Sequence, residues 1–379
     1  MVTVRRLAMA VFCVAALLAG PSRAAPELAV DVASGAVYFE REAGVPWHPA
    51  SLTKLMTVYV TFRAMEAGEV SPETVVTVSP AATRASPSRM GFPAGTRMTL
   101  DAALKMLVVK SANDLGVAVA ETVGGSVDGF VARMNAESAA LGLHGSVWRN
   151  PHGLHHPEQV TTARDMAVLG RALLLRYPDK AGLFSLHGFT VGSVEVENHN
   201  GLIGRVEGAD GMKTGYICAS GFNIVATVTR GGRRMLAVVM GGRKAVDRDA
   251  TAARLIESAL LAPPLPLDVG SIPHAGGSPT DMTPFVCGGR KPPAGGDTEA
   301  VLEAKARWTR TFRSMPRTLG EPVRLGLLPP ERVAPAPAPR PDLDALRTAW
   351  LQRQEAEAPE AEAATPDATV APKPSVRRF

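Results

Sequence analysis

Residues 49–57 read Pro-Ala-Ser-Leu-Thr-Lys-Leu-Met-Thr and open a predicted helix that runs over 51–67 and ends at Gly68. Ser51 and Lys54 are three positions apart, which places their side chains on one face of that helix. A lysine among apolar neighbours can lose its proton and act as the base that activates a serine hydroxyl. A helix-capping serine beside a solvated lysine is the structural alternative.

Two further short motifs carry polar side chains at places where the chain is predicted to turn or to form a strand. Ser-Ala-Asn at 111–113 lies between two predicted helices, where a hydroxyl and an amide can point into a cleft. Lys-Thr-Gly at 213–215 opens a predicted strand and offers a cation, a hydroxyl and a close backbone approach at the glycine. Such an edge strand can hold an extended peptide that ends in a carboxylate. Taken singly, each motif is also compatible with an ordinary turn or strand.

The apolar periodicity predicts an α+β fold in which both ends of a domain contribute to one antiparallel sheet of about five strands. The predicted strands are 27–32, 36–40, 211–217, 222–229 and 234–240. Between them the pattern predicts an inserted helical cluster, and Thr99 and Thr162 are the expected N-caps of two of its helices. The predicted helices are 51–67, 100–109, 114–123, 126–141, 162–176 and, after the last strand, 248–261.

The N-terminus has the order of a secretory signal peptide. Arg5 and Arg6 precede an apolar run over 7–19, and small residues stand at the first and third positions of Ser-Arg-Ala at 22–24. This pattern predicts that 1–24 is a signal peptide and that the protein is exported to the periplasm or cell envelope. A retained membrane anchor is the alternative.

Composition changes near residue 262, where prolines become frequent. The sequence predicts a folded domain over 25–262 and, over 263–379, a Pro/Ala-rich linker and mostly disordered tail with one or two short helices. Those helices are expected over 298–312 and around 343–351. The polar C-terminus puts membrane anchoring in doubt.

Charge and cysteine content exclude several classes of function. The chain has 379 residues and a formal net charge of +5, but no compact Lys/Arg stripe interleaved with aromatics, so nucleic-acid binding is not predicted. Cys218 and Cys287 belong to no Cys-x-x-Cys or Cys/His cluster, so neither a metal nor another cofactor is predicted. An exported protein could join them in a disulfide, which two cysteines alone do not specify.

The three motifs, in this order, resemble those of the serine penicillin-binding proteins and class A β-lactamases. Several longer blocks resemble the low-molecular-mass D-alanyl-D-alanine carboxypeptidases over about 25–262. These blocks are 49–57, Asn-Pro-His-Gly-Leu at 150–154, Ala-Arg-Asp-Met at 163–166, Asn-His-Asn-Gly-Leu at 198–202 and Asp-Gly-Met-Lys-Thr-Gly at 210–215. The resemblance implies a β-lactamase/DD-transpeptidase-like fold and removal of the terminal D-Ala from peptidoglycan stem pentapeptides. It also implies that β-lactam antibiotics bind covalently as inhibitors.

The same resemblance implies roles for individual residues. Ser51 would be acylated, Lys54 would be the general base, and Ser111 would pass a proton to the leaving amine. The residues implied in substrate binding are Asn113, Lys213, Thr214, Gly215, Tyr216 and Arg248, with backbone N–H groups of Ser51 and Tyr216 as the oxyanion hole. Lys213 is also expected to hold Ser111. A solvated arginine at a helix start is the alternative for Arg248, and His152 is expected to shape a loop.

Three other functions stay open on the sequence. A β-lactamase would need a glutamate that activates water in a Glu-x-x-Leu-Asn setting, whereas the comparable loop reads Pro-His-Gly-Leu at 151–154. A DD-endopeptidase would use the same motifs on cross-linked peptides. A non-catalytic peptidoglycan-binding protein could retain the fold without the reaction.

Overall fold

The computed structural model describes residues 25–290 and 299–329. The predicted signal peptide at 1–24 and the predicted helix around 343–351 lie outside the described residues.

One antiparallel sheet of five strands forms the centre of the molecule, in the order β2-β1-β9-β8-β7. Along the described residues, the strands are β1 (Glu27–Asp31), β2 (Val37–Arg41), β3 (Val75–Thr77), β4 (Arg97–Thr99), β5 (Gly188–Val191), β6 (Val194–Glu197), β7 (Ala209–Ile217), β8 (Gly221–Arg230), β9 (Arg233–Gly242) and β10 (Val323–Leu325). The predicted five-stranded antiparallel sheet is confirmed, and among the described residues no strand pairs with the outer edge of β7. The other strands form two small sheets, β3-β4 and β10-β5-β6.

Helices fill the chain between β2 and β7, as the sequence predicted, and cover one face of the sheet. The helices of the described residues are α1 (Thr53–Glu66), α2 (Leu100–Val109), α3 (Asn113–Gly124), α4 (Val127–Ala140), α5 (Ala163–Arg176), α6 (Ala245–Leu261), α7 (Thr283–Val286) and α8 (Glu299–Ser314). The Thr99 side chain caps α2 by accepting from the Ala102 amide at 3.2 Å. The Thr162 side chain caps α5 by accepting from the Asp165 amide at 3.0 Å. Within the described residues, no single helix could span a membrane, and only the bent pair α3–α4 meets the requirement by length and composition.

The sheet is buried on both faces, which explains the nearly continuous apolar run of β8. Val225 packs into the core between the sheet and the inserted helices, whereas Ile224 and Ala226 pack into the core on the opposite face. Successive side chains of a strand point to opposite faces, so both cores draw on the same strand. α6 and α8 cover the second core, and Phe312 of α8 is only 1% exposed there.

Beyond residue 262 the structure describes 263–290 and 299–329, and several elements of these two ranges pack against residues 25–262. α8 is close to the predicted 298–312 helix, and β10 pairs in parallel with β5. Val269 and Met282 are also buried, and Cys218 forms a disulfide with Cys287. The anchoring side chains are few and widely spaced among prolines and polar residues, so composition alone suggested a disordered segment.

Candidate active site

The three sequence motifs converge on one cavity of about 440 Å³. Its lining residues are Ser51, Pro87, Ser88, Ser111, Asn113, Gly153, Leu154, His199, Thr214, Gly215, Tyr216, Ile217, Phe222, Ala245 and Arg248. Lys54 and Lys213 lie behind this lining and are 0% and 2% exposed. Residues that are far apart in the sequence therefore meet in a single cleft.

The Lys54 amine lies between one hydroxyl and two carbonyl oxygens. Its Nζ is 3.0 Å from Ser51 Oγ, 2.7 Å from Asn113 Oδ1 and 2.6 Å from the His152 carbonyl oxygen. Burial, and then the charge of Lys213, lowers the pKa of Lys54 well below its ordinary value. A neutral amine has two N–H donors for the two carbonyls and one lone pair for the Ser51 hydroxyl. This arrangement can take a proton from Ser51.

Asn113 fixes the direction in which Lys54 points. Its Nδ2 donates to the Ser86 carbonyl at 2.8 Å, so its Oδ1 is left to face Lys54 at 2.7 Å. Its backbone amide donates to the Ser88 carbonyl at 2.7 Å. The segment around Ser86 and Ser88 was not recognised from the sequence, where it reads as an ordinary polar loop. Its role in holding Asn113 depends on contacts between distant residues.

The loop at 150–154 brings the His152 carbonyl to Lys54. The Asn150 side chain organises this loop, because its Oδ1 accepts from the Gly153 amide at 2.7 Å and its Nδ2 donates to the Leu154 carbonyl at 3.0 Å. Gly153 has a φ of +89°, and a Cβ there would stand 1.9 Å from the Ala50 carbonyl oxygen. Only glycine lets this loop lie against the turn that carries Ser51.

His152 itself is not arranged as a proton carrier. Its Nδ1 accepts from the Leu154 amide at 3.2 Å, and burial, together with the charge of Lys54, lowers the pKa of the imidazole to about 3. The ring is therefore neutral near neutral pH. Its contribution to the site is the backbone carbonyl that faces Lys54, which agrees with the expected structural role.

Ser111 stands in a left-handed backbone conformation just before α3. Its φ is +63°, which is uncommon for a non-glycine residue, and the residue is 6% exposed. The preceding residue is held in place because Ser88 Oγ donates to the Lys110 carbonyl at 3.0 Å. Strained positions of this kind persist where surrounding contacts enforce them, and here the turn brings Ser111 to the cavity lining.

The free edge of β7 lies against the turn that carries Ser51. A Cβ at Gly215 would be 3.0 Å from both the Pro49 carbonyl oxygen and the Ser51 amide nitrogen, so the two backbones approach closely. Asn223 on β8 supports the same turn, since its Nδ2 donates to the carbonyls of His48 at 3.0 Å and Pro49 at 3.2 Å. Sequence reasoning missed Asn223, which belongs to none of the three motifs.

Lys213 and Arg248 make one end of the cavity positive. Burial, and then the charge of Arg248, lowers the pKa of Lys213 to about 7. The Lys213 amine donates to the Thr214 carbonyl at 2.9 Å, rather than to Ser111 as the resemblance implied. Arg248 is 4% exposed and pairs with Asp249 at 2.7 Å, which excludes the solvated alternative for this arginine.

Tyr216 and Phe222 form an aromatic wall at the open side of the cavity. The two rings are stacked with their centroids 4.2 Å apart, and Tyr216 is 43% exposed. Phe222 was not predicted as a site residue, because its position opposite Tyr216 follows from the β7–β8 register. A wall of this kind can contact apolar parts of an extended ligand.

Known proteins resemble this chain over the part that contains the three motifs. Residues 18–244 match the family of D-alanyl-D-alanine carboxypeptidases, Peptidase S11. The D-alanyl-D-alanine carboxypeptidase DacA of Escherichia coli K12 is 36% identical over 234 residues, which cover 60% of this chain and 58% of that protein. DacC of the same organism is 35% identical over 221 residues, which cover 56% of this chain and 55% of DacC. The chain thus spans less than two thirds of the length of these relatives.

Solved structures show the same relationship. Penicillin-binding protein 5 from Haemophilus influenzae has a TM-score of 0.60 and 32% identity, covering 63% of this chain and 72% of that one. Penicillin-binding protein 6B from Escherichia coli has a TM-score of 0.59 and 33% identity, covering 63% of this chain and 78% of that one. The fold around the cavity is therefore that of the DD-peptidases, and the chain belongs to the Peptidase S11 family, the D-alanyl-D-alanine carboxypeptidases.

Proposed function

We propose that this chain is a serine-type carboxypeptidase that removes the terminal D-Ala from peptidoglycan stem pentapeptides through an acyl-enzyme. The observation that carries the proposal is the contact between the buried Lys54 amine and Ser51 Oγ at 3.0 Å, beside the free edge of β7. A buried neutral amine next to a serine hydroxyl suits nucleophilic catalysis. The names of the relatives and the membership of the family support the same substrate class.

In the proposed reaction, Lys54 removes the Ser51 proton and Ser51 Oγ attacks the carbonyl carbon of the penultimate D-Ala. Backbone N–H groups of Ser51 and Tyr216 stabilise the oxyanion that forms. The proton passes from Lys54 through Ser111 to the leaving nitrogen, and the C–N bond breaks to release D-Ala. Water then attacks the carbonyl carbon of the Ser51 ester and gives a proton to Lys54. The bond between that carbon and Ser51 Oγ breaks, Lys54 returns the proton to Ser51 Oγ, and the shortened peptide is released with a new carboxylate.

The positive end of the cavity is the proposed binding site for the terminal carboxylate. Thr214 and Arg248 line it, and Lys213 lies behind it. A peptide extended along β7 would add its backbone to the strand edge, while its carboxylate meets a hydroxyl and two cations. Asn113 would hold the substrate amide and Gly215 would allow the close approach of the chain.

Covalent penicillin binding follows from the same chemistry, and the name of the Haemophilus influenzae relative points to it. Attack of Ser51 opens the β-lactam ring, and the released amine stays tethered to the adduct. No carboxylate stands among the described residues that line the cavity, so we expect water activation on this adduct to be slow. A β-lactamase would instead need fast activation of the water that hydrolyses the adduct.

The proposal is tested by mass spectrometry after addition of a labelled penicillin. We expect one lasting adduct on Ser51 and release of D-Ala from a monomeric pentapeptide. Ser51→Ala should lose both, whereas Ser271→Ala, at an exposed serine outside the cavity, should keep both. Rapid penicillin turnover without a lasting adduct would favour a β-lactamase.

The choice of substrate needs a second measurement. Product analysis on cross-linked dimer, in parallel with pentapeptide, separates a carboxypeptidase from a DD-endopeptidase. If the wild-type protein neither releases D-Ala nor forms an adduct, a non-catalytic peptidoglycan-binding protein replaces the proposal. For localisation we propose export, because 1–24 has signal-peptide order and the proposed substrate, peptidoglycan, lies outside the cytoplasm.

A further inference from the structure

The segment 198–204, between β6 and β7, lies next to the catalytic cleft and fixes the start of β7. His199 of this segment lines the cavity. Asn200 is 1% exposed, and its Nδ2 donates to the Gly211 carbonyl at 2.7 Å, two residues before Lys213. A shift of this segment would therefore displace the strand that carries Lys-Thr-Gly.

The Arg317 side chain donates several hydrogen bonds to the backbone of 198–204. Its Nη2 donates to the carbonyls of Asn198 at 2.7 Å and Asn200 at 3.2 Å, and its Nε donates to the Ile203 carbonyl at 3.1 Å. Its Nη1 also pairs with Glu197 at 3.2 Å. Three carbonyls of one short segment thus share one guanidinium, whose planar fork of donors fixes their relative positions.

The backbone around Arg317 is itself firmly placed. Arg317 follows α8, which is anchored by the buried ring of Phe312. The next residue, Thr318, donates its amide to the Gly204 carbonyl at 2.8 Å, and β10 pairs with β5 a few residues later. On the Arg317 side of these contacts, α8, Thr318 and β10 all lie beyond 18–244, the part of the chain that matches the family.

Charge connects Arg317 with the same end of the cavity. Burial raises the pKa of Asp249, and the nearby positive charges of Arg248, Arg205 and Arg317 oppose that rise. Asp249 in turn pairs with Arg248, which lines the cavity. Loss of the Arg317 charge would remove one of the interactions that keep the pKa of Asp249 from rising further. The carboxylate that pairs with Arg248 would then be less stable in its ionised form.

We propose that Arg317 is a positioning residue for acylation: through the carbonyls of 198–204 it sets the place of β7 against the Ser51 turn. A segment beyond the family-matching part of the chain thereby controls the geometry of the reaction. The kinetic part of this inference rests on the proposed function, because acylation of Ser51 is its readout.

The test compares four full-length proteins: wild type, Arg317→Ala, Arg317→Lys and, as the matched control, Arg310→Ala at an exposed position of α8. Two quantities are measured with a labelled penicillin, namely the acylation rate constant and the number of adducts per molecule. Hydrogen exchange of the backbone amides is followed over 198–216 and over α1 without any ligand.

We expect Arg317→Ala to lower the acylation rate constant by about tenfold to a hundredfold, because small misplacements of a reacting group have effects of this size. The number of adducts per molecule should stay at the wild-type value, and exchange should rise over 198–216 but not over α1. Arg317→Lys should fall between, since an ammonium cannot copy the planar fork. Arg310→Ala should behave as wild type.

An unchanged rate constant together with unchanged exchange over 198–216 would overturn the proposal. Fewer adducts per molecule at an unchanged rate constant would also overturn it, because that result indicates loss of folded protein rather than misplacement. If the wild type is not acylated at all, the proposed function fails, and hydrogen exchange alone tests the positioning role. An increase in Arg317→Ala that is confined to 198–216 then supports this role, and the absence of an increase rules it out.

Discussion

Two buried lysines face the same cleft, and the structure gives them different surroundings. Lys54 has three oxygen neighbours within 3.0 Å, whereas Lys213 donates to the Thr214 carbonyl. Burial is the main cause that lowers the pKa of each amine. In the proposed reaction, however, Lys54 must be neutral to act as a base and Lys213 must be charged to attract a carboxylate.

These opposite requirements predict a bell-shaped pH profile of kcat/KM. The rising limb follows loss of the Lys54 proton. The falling limb follows loss of the Lys213 proton, with a pKa of about 7 in the free enzyme. Lys213→Arg should move the falling limb to higher pH, because a guanidinium stays protonated. The measurement is D-Ala release from a pentapeptide as a function of pH.

Lys105→Arg, on α2 away from the cleft, is the control for this experiment and should leave both limbs in place. A falling limb that stays where it is in Lys213→Arg would assign that limb to another group. The pH dependence of folding stability gives an independent check that the pKa of Lys213 is lowered in the folded protein. The unfolded chain binds more protons at Lys213 than the folded one between pH 7 and its ordinary pKa of 10.5, so this lysine adds stability as pH rises through that window.

At the scale of elements, the Ser51 turn is held by the central strand β8 as well as by its own helix. Asn223 is 0% exposed and joins three backbone groups: the carbonyls of His48 and Pro49, and the Gly241 amide at 3.0 Å. Its side chain therefore links β8, β9 and the turn. An apolar replacement would leave these buried groups without partners.

We predict that Asn223→Ala lowers the free energy of unfolding by about 2–4 kcal/mol, since each buried polar group left unpaired costs on the order of 1–3 kcal/mol. The acylation rate constant should fall as well, because the Ser51 turn loses its support. Urea unfolding and penicillin acylation measure the two effects.

The control for Asn223 removes a helix cap that is remote from the turn. Ser126 caps α4 by accepting from the Gly129 amide at 3.0 Å, and Ser126→Ala should cost about 1 kcal/mol of stability without a change in the acylation rate constant. If Asn223→Ala also acylates at the wild-type rate, its side chain contributes only to stability.

At the scale of the whole molecule, the disulfide joins the end of the catalytic strand to the segment beyond residue 262. Cys218 follows β7 directly, Cys287 follows α7, and 69 positions separate them. A covalent link over a loop of this length restricts the unfolded chain, which in the chain-entropy account stabilises the fold by about 3–5 kcal/mol.

We predict that reduction lowers the melting temperature of the wild-type protein to that of the double variant Cys218→Ser/Cys287→Ser. The double variant is its own control, because a reductant should not change its melting temperature. Equal melting temperatures of the wild type with and without reductant would show that the two thiols are not bonded in solution.

Local patterns were sufficient for the parts of this protein that are built locally. The caps at Thr99 and Thr162 and most element bounds followed from the sequence, because a cap needs only the next few residues and a strand shows its burial as apolar alternation. The five-stranded sheet also followed, from strands at both ends of the domain. The order of the three short motifs, together with the longer blocks around them, was enough to indicate the family.

Tertiary structure alone decided the features that depend on which distant residues meet. Four such features leave no periodic signal in the sequence. They are the burial of Arg248, the disulfide between Cys218 and Cys287, the hydrogen bonds of Asn223 to the Ser51 turn, and those of Arg317 to 198–204. The same holds for the lowered pKa of Lys54, because a pKa is shifted by burial and by neighbouring charge, and both arise only when the chain has folded.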